Sequence, residues 1–482
     1  MQVALARRTL SSTGMSVSGA AASAPMVVLV GGIVATYATT QVTALPLVFV
    51  LVAAVVALLA VGYTAMARQL GHPAAYYGIL ANSLGRGWGL AAGLVAFVVY
   101  NAIQISLFGL LGATMTEQLG GAWWVWAGIT VAVVGAFGTR AIVLSTRVLV
   151  AVLALSLLVV AAFVVAGIGQ PAGGELSWEG FDASGLTVSG VGGAVAFVVA
   201  ALMGSVDVPG SMVEEAVDRR SVSRATIGAV VVLGGVYALA AWAMGVAVGP
   251  EAVGEVAADP AGGLPFAILE RLGGWWVPLA EVVLILAIVT SMLAFHNVVA
   301  RYVFAVAREG VLPAALARTG STARVSAPRG GSLTQTAVAA VVVGVFALTG
   351  ADPVAVMFTW LSTLGAMGLL CLLVAASVAA MMAPASVRGT QAGAWEWRLA
   401  PALGVLGGLA LLVLMVGNAD SLLGAKPGSL YPLLLPLILA GFAVLGGVWA
   451  GHLRQARPEV YAGIGRGTPS THAVPDAINV SI

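Results

Sequence analysis

Apolar runs of about 20 residues recur from one end of the 482-residue chain to the other, and each is long enough to cross a ~30 Å hydrocarbon core as an α-helix. Backbone in lipid must satisfy its own hydrogen bonds, which leaves helices or a closed barrel. Unbroken apolar runs of this length, without alternation, select helices. Charged residues make up 8 % of the chain, against roughly 25 % in soluble domains, too few to clothe a water-facing surface of this size. The chain is therefore expected to be an all-α, multi-pass membrane protein.

Several chemistries fall away with the composition. The only lysine is Lys426, followed by Pro427, so there is no Walker A Gly-Lys-Ser/Thr and no intramembrane lysine for a retinal Schiff base. The single cysteine, Cys371, lies inside an apolar run and leaves no intrachain disulfide or thiolate metal site. His72, His296, His452 and His472 do not fall at metal-ligand spacing. A net charge of +2 gives no case for nucleic acid. No cofactor or metal is expected. Arg7-Arg8 and the later Ala20 to Ala24 run resemble the ends of a signal peptide, but the Ser/Thr/Gly-rich stretch between them lacks an apolar core.

Punctuation between the runs predicts twelve spans, near 21–42, 45–67, 88–114, 122–138, 148–168, 189–213, 225–248, 275–303, 333–349, 353–382, 399–417 and 430–451. The segment Pro73 to Leu84 is too short to span and is predicted to be an amphipathic interfacial helix. With the N-terminus in the cytoplasm, 19 of the 21 basic residues fall inside, and only Arg271 and Lys426 fall outside. This asymmetry predicts both termini to be cytoplasmic in a plasma (inner) membrane. The expected divisions are a tail over 1–19, five-span groups over 20–168 and 189–382, two further spans over 399–451, and a tail over 452–482.

Two spans carry signals for a break, and they open the two groups of five. The first holds Gly31-Gly32-Ile33-Val34; the sixth holds Gly204-Ser205-Val206-Asp207-Val208-Pro209-Gly210-Ser211. Pro209 removes an amide donor, and glycines lower the cost of unwinding. Interrupted helices at matching positions of two halves point to an inverted-repeat transporter site. Close helix packing is the other use of such glycines.

The residues along spans 6 and 8 resemble the amino acid–polyamine–organocation permease family, of the bacterial amino acid permease type. Gly204-Ser205-Val206-Asp207, then Glu214-Glu215-Ala216-Val217-Asp218-Arg219-Arg220-Ser221-Val222-Ser223-Arg224-Ala225-Thr226, is similar to the family's Gly-Phe-Glu followed by Glu-Glu-Ala-x-x-Pro-x-x-x-x-Pro-x-Ala. Phe295-His296-Asn297 to Tyr302 and Ala307-Arg308-Glu309-Gly310-Val311-Leu312-Pro313 resemble its span 8 exit, and Ala74 to Arg86 its loop helix after span 2. Ser205-Val206-Asp207 stands where Gly-Phe-Glu is usual, so that aromatic is absent.

The resemblance implies an inverted five-helix repeat, spans 1–5 and 6–10, with broken helices 1 and 6 and two extra spans. It also implies a secondary active transporter of amino acids or related amines. Half-helix amides at Gly31, Gly32 and Ile33 would hold the substrate carboxylate, with Met203, Gly204 and Ser205 on the opposite wall. Asn101 and Gln104 share one helix face of span 3 and either line the cavity or bond between helices. Thr290 and Ser291 match a position where related transporters place hydroxyls around a sodium ion; a helix-packing pair is the other reading. His296 and Asn297 read as structural, and Glu214, Glu215 and Asp218 beside Arg219, Arg220 and Arg224 as a solvated ion-pair cluster.

Asp207 is the one acid placed near mid-membrane, with no intramembrane Lys or Arg to pair with. It is expected to take up and release the coupling proton; pairing with a substrate amine and hydrogen-bonding freed amides are the alternatives. The expected partners are a small-molecule amino acid or amine, protons and membrane lipid. A polyamine or other organic cation is the alternative substrate. A channel would want charge rings or a filter repeat, and an enzyme would want an intramembrane catalytic pair; neither pattern is present.

Overall fold

Helices dominate because the apolar runs have no other way to close their backbone hydrogen bonds in hydrocarbon. The computed structural model describes residues 11–467 apart from 140–145, 187–189, 214–215, 260–262, 319, 323–324, 389–392 and 424–428. Glu214, Glu215, Lys426 and Arg140 lie outside the described residues. Among the described residues, 11 helices are long and apolar enough to cross a membrane. They are Ser12–Thr40, Leu45–Leu70, Arg86–Leu119, Arg147–Gly169, Val191–Ser211, Arg220–Val248, Trp276–Arg308, Arg329–Leu348, Pro353–Met382, Trp395–Gly417 and Tyr431–Ala456. A shorter apolar helix, Trp123–Thr139, completes the twelve. Its 17 residues give about 25 Å of rise, and Trp123, Trp124 and Trp126 cluster at its start as an interfacial anchor. These helices are called spans 1 to 12 in chain order, with Trp123–Thr139 as span 4. Twelve crossings return the chain to the side it started from, here called the terminal face.

Spans 3, 6 and 10 are mostly buried, while spans 5, 9, 11 and 12 turn apolar faces outward, as at Val413 and Val448. Span 1 begins at Ser12, inside the stretch expected to be a tail, because Ser11 caps it by accepting from the Gly14 amide at 3.1 Å. The helix after span 2, Ala75–Ser83, is not interfacial as expected: residues Ala75 to Ala81 are all buried, wedged against spans 2, 3 and 10. A two-stranded hairpin, Gly320–Thr322 with Val325–Ala327, joins spans 8 and 9.

Two expectations about helix breaks are corrected. Span 1 is interrupted at Ser23-Ala24, where Ala24 adopts φ 42° and Pro25 opens the next helical segment, Pro25–Val27. Gly31 and Gly32 instead sit in a π-helical stretch, Val28–Ile33, which runs on into Val34–Thr40. Span 6 is helical without interruption from Val191 to Ser211, with Pro209 in its last turn. A proline there costs only the Ser205 carbonyl its partner, and near a helix end that loss is small. Gly204 serves close approach: a Cβ on it would lie 2.6 Å from the Ser23 backbone nitrogen. Likewise a Cβ on Gly19 would lie 2.9 Å from Pro209 Cγ.

If span 6 is continuous, Pro209→Ala restores a donor to the Ser205 carbonyl while losing some packing on Gly19. The variant is expected to fold with a detergent-solution Tm within about 2 °C of the parent. A much larger fall would mean that residues 205–210 are natively unwound and that alanine forces them into helix.

Candidate functional site

The interruption in span 1 leaves peptide groups without helical partners, and side chains from other spans meet them. Ser291 Oγ, on span 8, donates to the Ala22 carbonyl at 2.6 Å. Tyr237 Oη, on span 7, donates to the Ser23 carbonyl at 3.2 Å. The first half-helix therefore ends with its carbonyls at this point, and the second begins with first-turn amides that have no partner within their own helix. The two half-helix ends face each other as a negative and a positive pole.

A cavity of about 70 Å³ surrounds this interruption, enough for several waters or a ligand of few heavy atoms. Ala22, Ser23, Ala24 and Gly32 line it from span 1, and Ser106 and Leu107 from span 3. Span 6 contributes Phe197, Ala200, Ala201 and Gly204; spans 8 and 10 contribute Ser291, Phe295, Phe358 and Ser362. No charged side chain stands on its wall.

Of the residues expected to touch substrate, Gly32 and Gly204 line this cavity. Gly31 turns toward Leu110, and Ile33 and Met203 are fully buried in the packing. Ser205 Oγ bonds back to the Leu202 carbonyl at 2.5 Å. Asn101 Nδ2 donates to the Phe97 carbonyl at 2.8 Å. Gln104 joins a buried polar cluster: Gln335 Nε2 donates to its Oε1, its Nε2 lies 3.4 Å from His296 Nδ1, and His296 Nε2 lies 2.7 Å from Ser332 Oγ. That cluster ties spans 3, 8 and 9 together away from the cavity. Thr290 Oγ1 donates to its own helix, at Leu286, while Ser291 is at the break. Ser23-Ala24 is the feature that sequence reasoning missed. Its signal was Pro25, which disfavours helical backbone at the residue before it.

Asp207 is buried but does not line the cavity; it lies one turn from the terminal-face end of span 6. Its Oδ1 accepts from Tyr76 Oη at 2.8 Å and Tyr100 Oη at 3.2 Å, and its Oδ2 has no partner among the described residues. The Tyr63 ring packs tilted on Tyr76 at 4.9 Å between centroids, and the Tyr302 ring meets Tyr100 edge-on at 6.1 Å. Two tyrosines, from the buried loop helix and span 3, thus hold one carboxyl, and two more, from spans 2 and 8, pack against them.

Beyond them, the terminal face is closed around Glu309, just past span 8. His72 Nε2 lies 3.0 Å from Glu309 Oε1, and Tyr77 Oη donates to Oε2. The chain after span 12 folds back through the helix Pro458–Gly463, so that the amides of Gly465 and Gly467 donate to Glu309 at 2.9 and 2.7 Å. Arg86 sits over the Tyr461 ring at 5.2 Å, adding a cation–π contact. Burial pushes the Glu309 carboxyl up; the hydrogen bond and charge of His72 and the bonds from Tyr77 and Gly465 outweigh it and hold it below its ordinary value.

An interrupted first span, a cavity at the interruption and a closed terminal face define a carrier-type membrane fold. The amino acid permease family model matches residues 8–438, and the chain belongs to that family. It is a transporter, not an enzyme. No curated protein matches. Among solved structures, the chain is similar to mutants of the manganese transporter of Eremococcus coleocola. A histidine-to-alanine mutant aligns at a TM-score of 0.55 with 16 % identity, over 93 % of this chain and 95 % of that one. A glutamate-to-alanine mutant aligns at 0.56 with 16 % identity, over 94 % and 96 %. The corresponding glutamate-to-glutamine mutant aligns at 0.54 with 14 % identity, over 93 % and 95 %. At this identity the likeness is one of fold.

Because the Glu309 carboxylate is held below its ordinary value, its grip on the returning chain is full above the usual carboxylate pKa of about 4.3 and fades as pH falls through the lowered value. Glu309→Gln reproduces the acid form at neutral pH. Hydrogen exchange over residues 458–467 is expected to speed up by about tenfold or more in the variant, matching the loss of charge-assisted bonds. Unchanged exchange would mean that the segment is held by other contacts.

Proposed function

We propose that this chain is a secondary active transporter of small, neutral amino acids in the plasma membrane, with both termini cytoplasmic, coupled to protons through Asp207. The observation that carries the substrate reading is the small, uncharged cavity at the Ser23-Ala24 interruption. The first-turn amides after Pro25 suit a carboxylate, and the carbonyls ending Ser12–Ala22 suit an ammonium group. Phe197, Phe295 and Phe358 leave the remaining wall apolar. A polyamine or other organic cation would call for an acid on that wall, and Asp207 is not on it. The neighbours' manganese is not carried over: among the described residues no group of three or more His, Cys, Asp or Glu is placed to hold a metal.

The route from the cavity toward the terminal face is filled by the Gly19–Pro209 contact and by the tyrosines around Asp207. Alternating access would open it by swinging Ser12–Ala22 about the interruption. The unpartnered Oδ2 of Asp207 is the atom on which a proton would bind or leave as the tyrosines move.

Uptake into proteoliposomes with a panel of amino acids and amines tests the substrate reading. Glycine, alanine and serine are expected to saturate and exchange, with arginine and putrescine at least tenfold poorer substrates. Preference for the cations would overturn it. In the same assay Asp207→Asn, run from pH 5 to 8, should lose pH-dependent drive while keeping substrate binding within about threefold. An unchanged pH profile would leave Asp207 a structural role only.

Orientation is checked by cysteine labelling of intact cells with an impermeant maleimide, since the native Cys371 lies within span 10. Glu175→Cys, in the loop after span 5, should label, and Glu459→Cys should not. The reverse pattern would invert the topology.

A further inference from the structure

The central cavity is not the largest in the molecule. A second one, of about 470 Å³, lies between spans 3, 8, 9 and 12 toward the terminal face, and shares no lining residue with the first. Its volume falls in the ~300–1,000 Å³ range of ligand pockets. Leu94 and Phe97 of span 3, Val306 of span 8 and Leu445 of span 12 make its wall almost wholly apolar. The mouth is on the lipid side: Leu445 is 55 % and Trp449 42 % exposed on span 12. Trp449 stands seven residues before Ala456, about 10 Å of rise, the depth at which Trp and Tyr settle between hydrocarbon and headgroups.

Among the hydroxyls of this lining, one is buried without a partner. Tyr302 is 5 % exposed, and its hydroxyl has no hydrogen-bond partner among the described residues. It stands six residues before Arg308, at nearly the same depth as Trp449. Gly93 leaves it room, since a Cβ there would lie 3.3 Å from Tyr302 Oη. A buried hydroxyl left without a partner is costly, so a ligand that brings an acceptor to this point gains both the bond and the apolar burial. At the terminal-face rim, Arg318, Arg329 and Arg454 are exposed, each within five residues of a lining residue, Leu316, Thr334 or Trp449.

We propose that this cavity binds one acyl chain of an anionic phospholipid from the leaflet on the terminal face, with an ester carbonyl accepting from Tyr302 and the headgroup phosphate meeting the arginine rim. A polar transported solute has no counterpart in these walls. Occupancy would bear on transport, because one lining residue holds Glu309 and another packs on a tyrosine that holds Asp207. Tyr302 packs on Tyr100, which donates to Asp207, and Tyr77, also in the lining, donates to Glu309.

The test uses the full-length protein in phosphatidylcholine vesicles doped with phosphatidylglycerol carrying a diazirine in its acyl chain. After irradiation, labelled peptides are mapped by mass spectrometry. Label is expected on residues 90–97 and 302–316, and phosphatidylcholine with the same acyl diazirine should label them several-fold less. Leu94→Trp and Leu445→Trp, which narrow the cavity, should cut that label by about fivefold or more, and Tyr302→Phe by about threefold. Leu445 is exposed, so its variant keeps the fold. Label at the outward-facing Leu406 and Val413 of span 11 serves as the internal reference and should not change. Label confined to outward faces, or undiminished in both tryptophan variants, overturns the site. Equal labelling by phosphatidylcholine overturns the headgroup assignment, and crosslinks between two copies through Trp449 would give the cavity to a second copy and overturn it as well.

Discussion

Hydrocarbon offers no partner to a free peptide group, so the interruption at Ser23-Ala24 persists only through what surrounds it. Ser291 takes the Ala22 carbonyl and Tyr237 the Ser23 carbonyl, from two different spans. Span 6 can come close enough to shield the rest because Gly204 has no side chain. Pro25 keeps the segment from winding into helix, so removing any of these leaves a peptide group unpaired in hydrocarbon and destabilises the interruption and the cavity built on it. Ser291, which holds the Ala22 carbonyl at the interruption, also lines the cavity built there.

The proposed mechanism keeps binding and titration apart. The cavity wall offers hydroxyls, backbone dipoles and aromatic rings, all of which keep their charge state at any physiological pH. The carboxyl lies about one turn past Gly204 on span 6, off the cavity wall, and accepts from tyrosines of span 3 and the buried loop helix. A neutral site holds a zwitterion without desolvating a fixed charge, which would be expensive at this depth. On that proposal the carboxyl, having no ligand to hold, would respond to how Tyr76 and Tyr100 are arranged as the face opens and closes.

Twelve spans and their order were legible because span length and punctuation are set by local composition, and residues on lipid-facing spans have few other duties. The buried loop helix was legible as a helix, though its burial was not: Tyr76, Tyr77 and Asn82 read as a polar face until their partners Asp207, Glu309 and Gly465 are in place. The helix breaks were misplaced for a related reason. Glycine signals either unwinding or close approach, and only the neighbour decides. At Gly204 the neighbour is the Ser23 backbone, so the glycine answers a break in another helix. The Ala24-Pro25 step carried a more direct signal, but it sits inside a run of small residues that also reads as the start of a span. Gln104 pairs with Gln335 and His296, residues far along the chain, and nothing local to span 3 distinguishes that from a cavity-lining position.

The composition of Ser12–Ala22 explains how the closed face could open. This half-helix is built from Ser, Gly, Ala, Thr, Val and Met, and its largest anchor, Met15, packs in a patch of its own with Val213, Ala216, Val222 and Ala225, separate from the main core. Gly19 faces Pro209 so closely that a Cβ on it would lie 2.9 Å from the ring, a meeting of backbone and ring rather than of interlocking side chains. Small residues let helices come close, and the same lack of knobs lets them part without forcing rotamer changes. The hinge is already unwound, so rotation there breaks few backbone bonds. If Ser12–Ala22 swings as proposed, the hydrogen bonds from Ser291 and Tyr237 lie at the pivot, and the contacts to be released are the small ones on its terminal-face side. A gate of the proposed kind would be held shut by what lies beneath it, here the tyrosines around the Asp207 carboxyl and the segment pinned on Glu309.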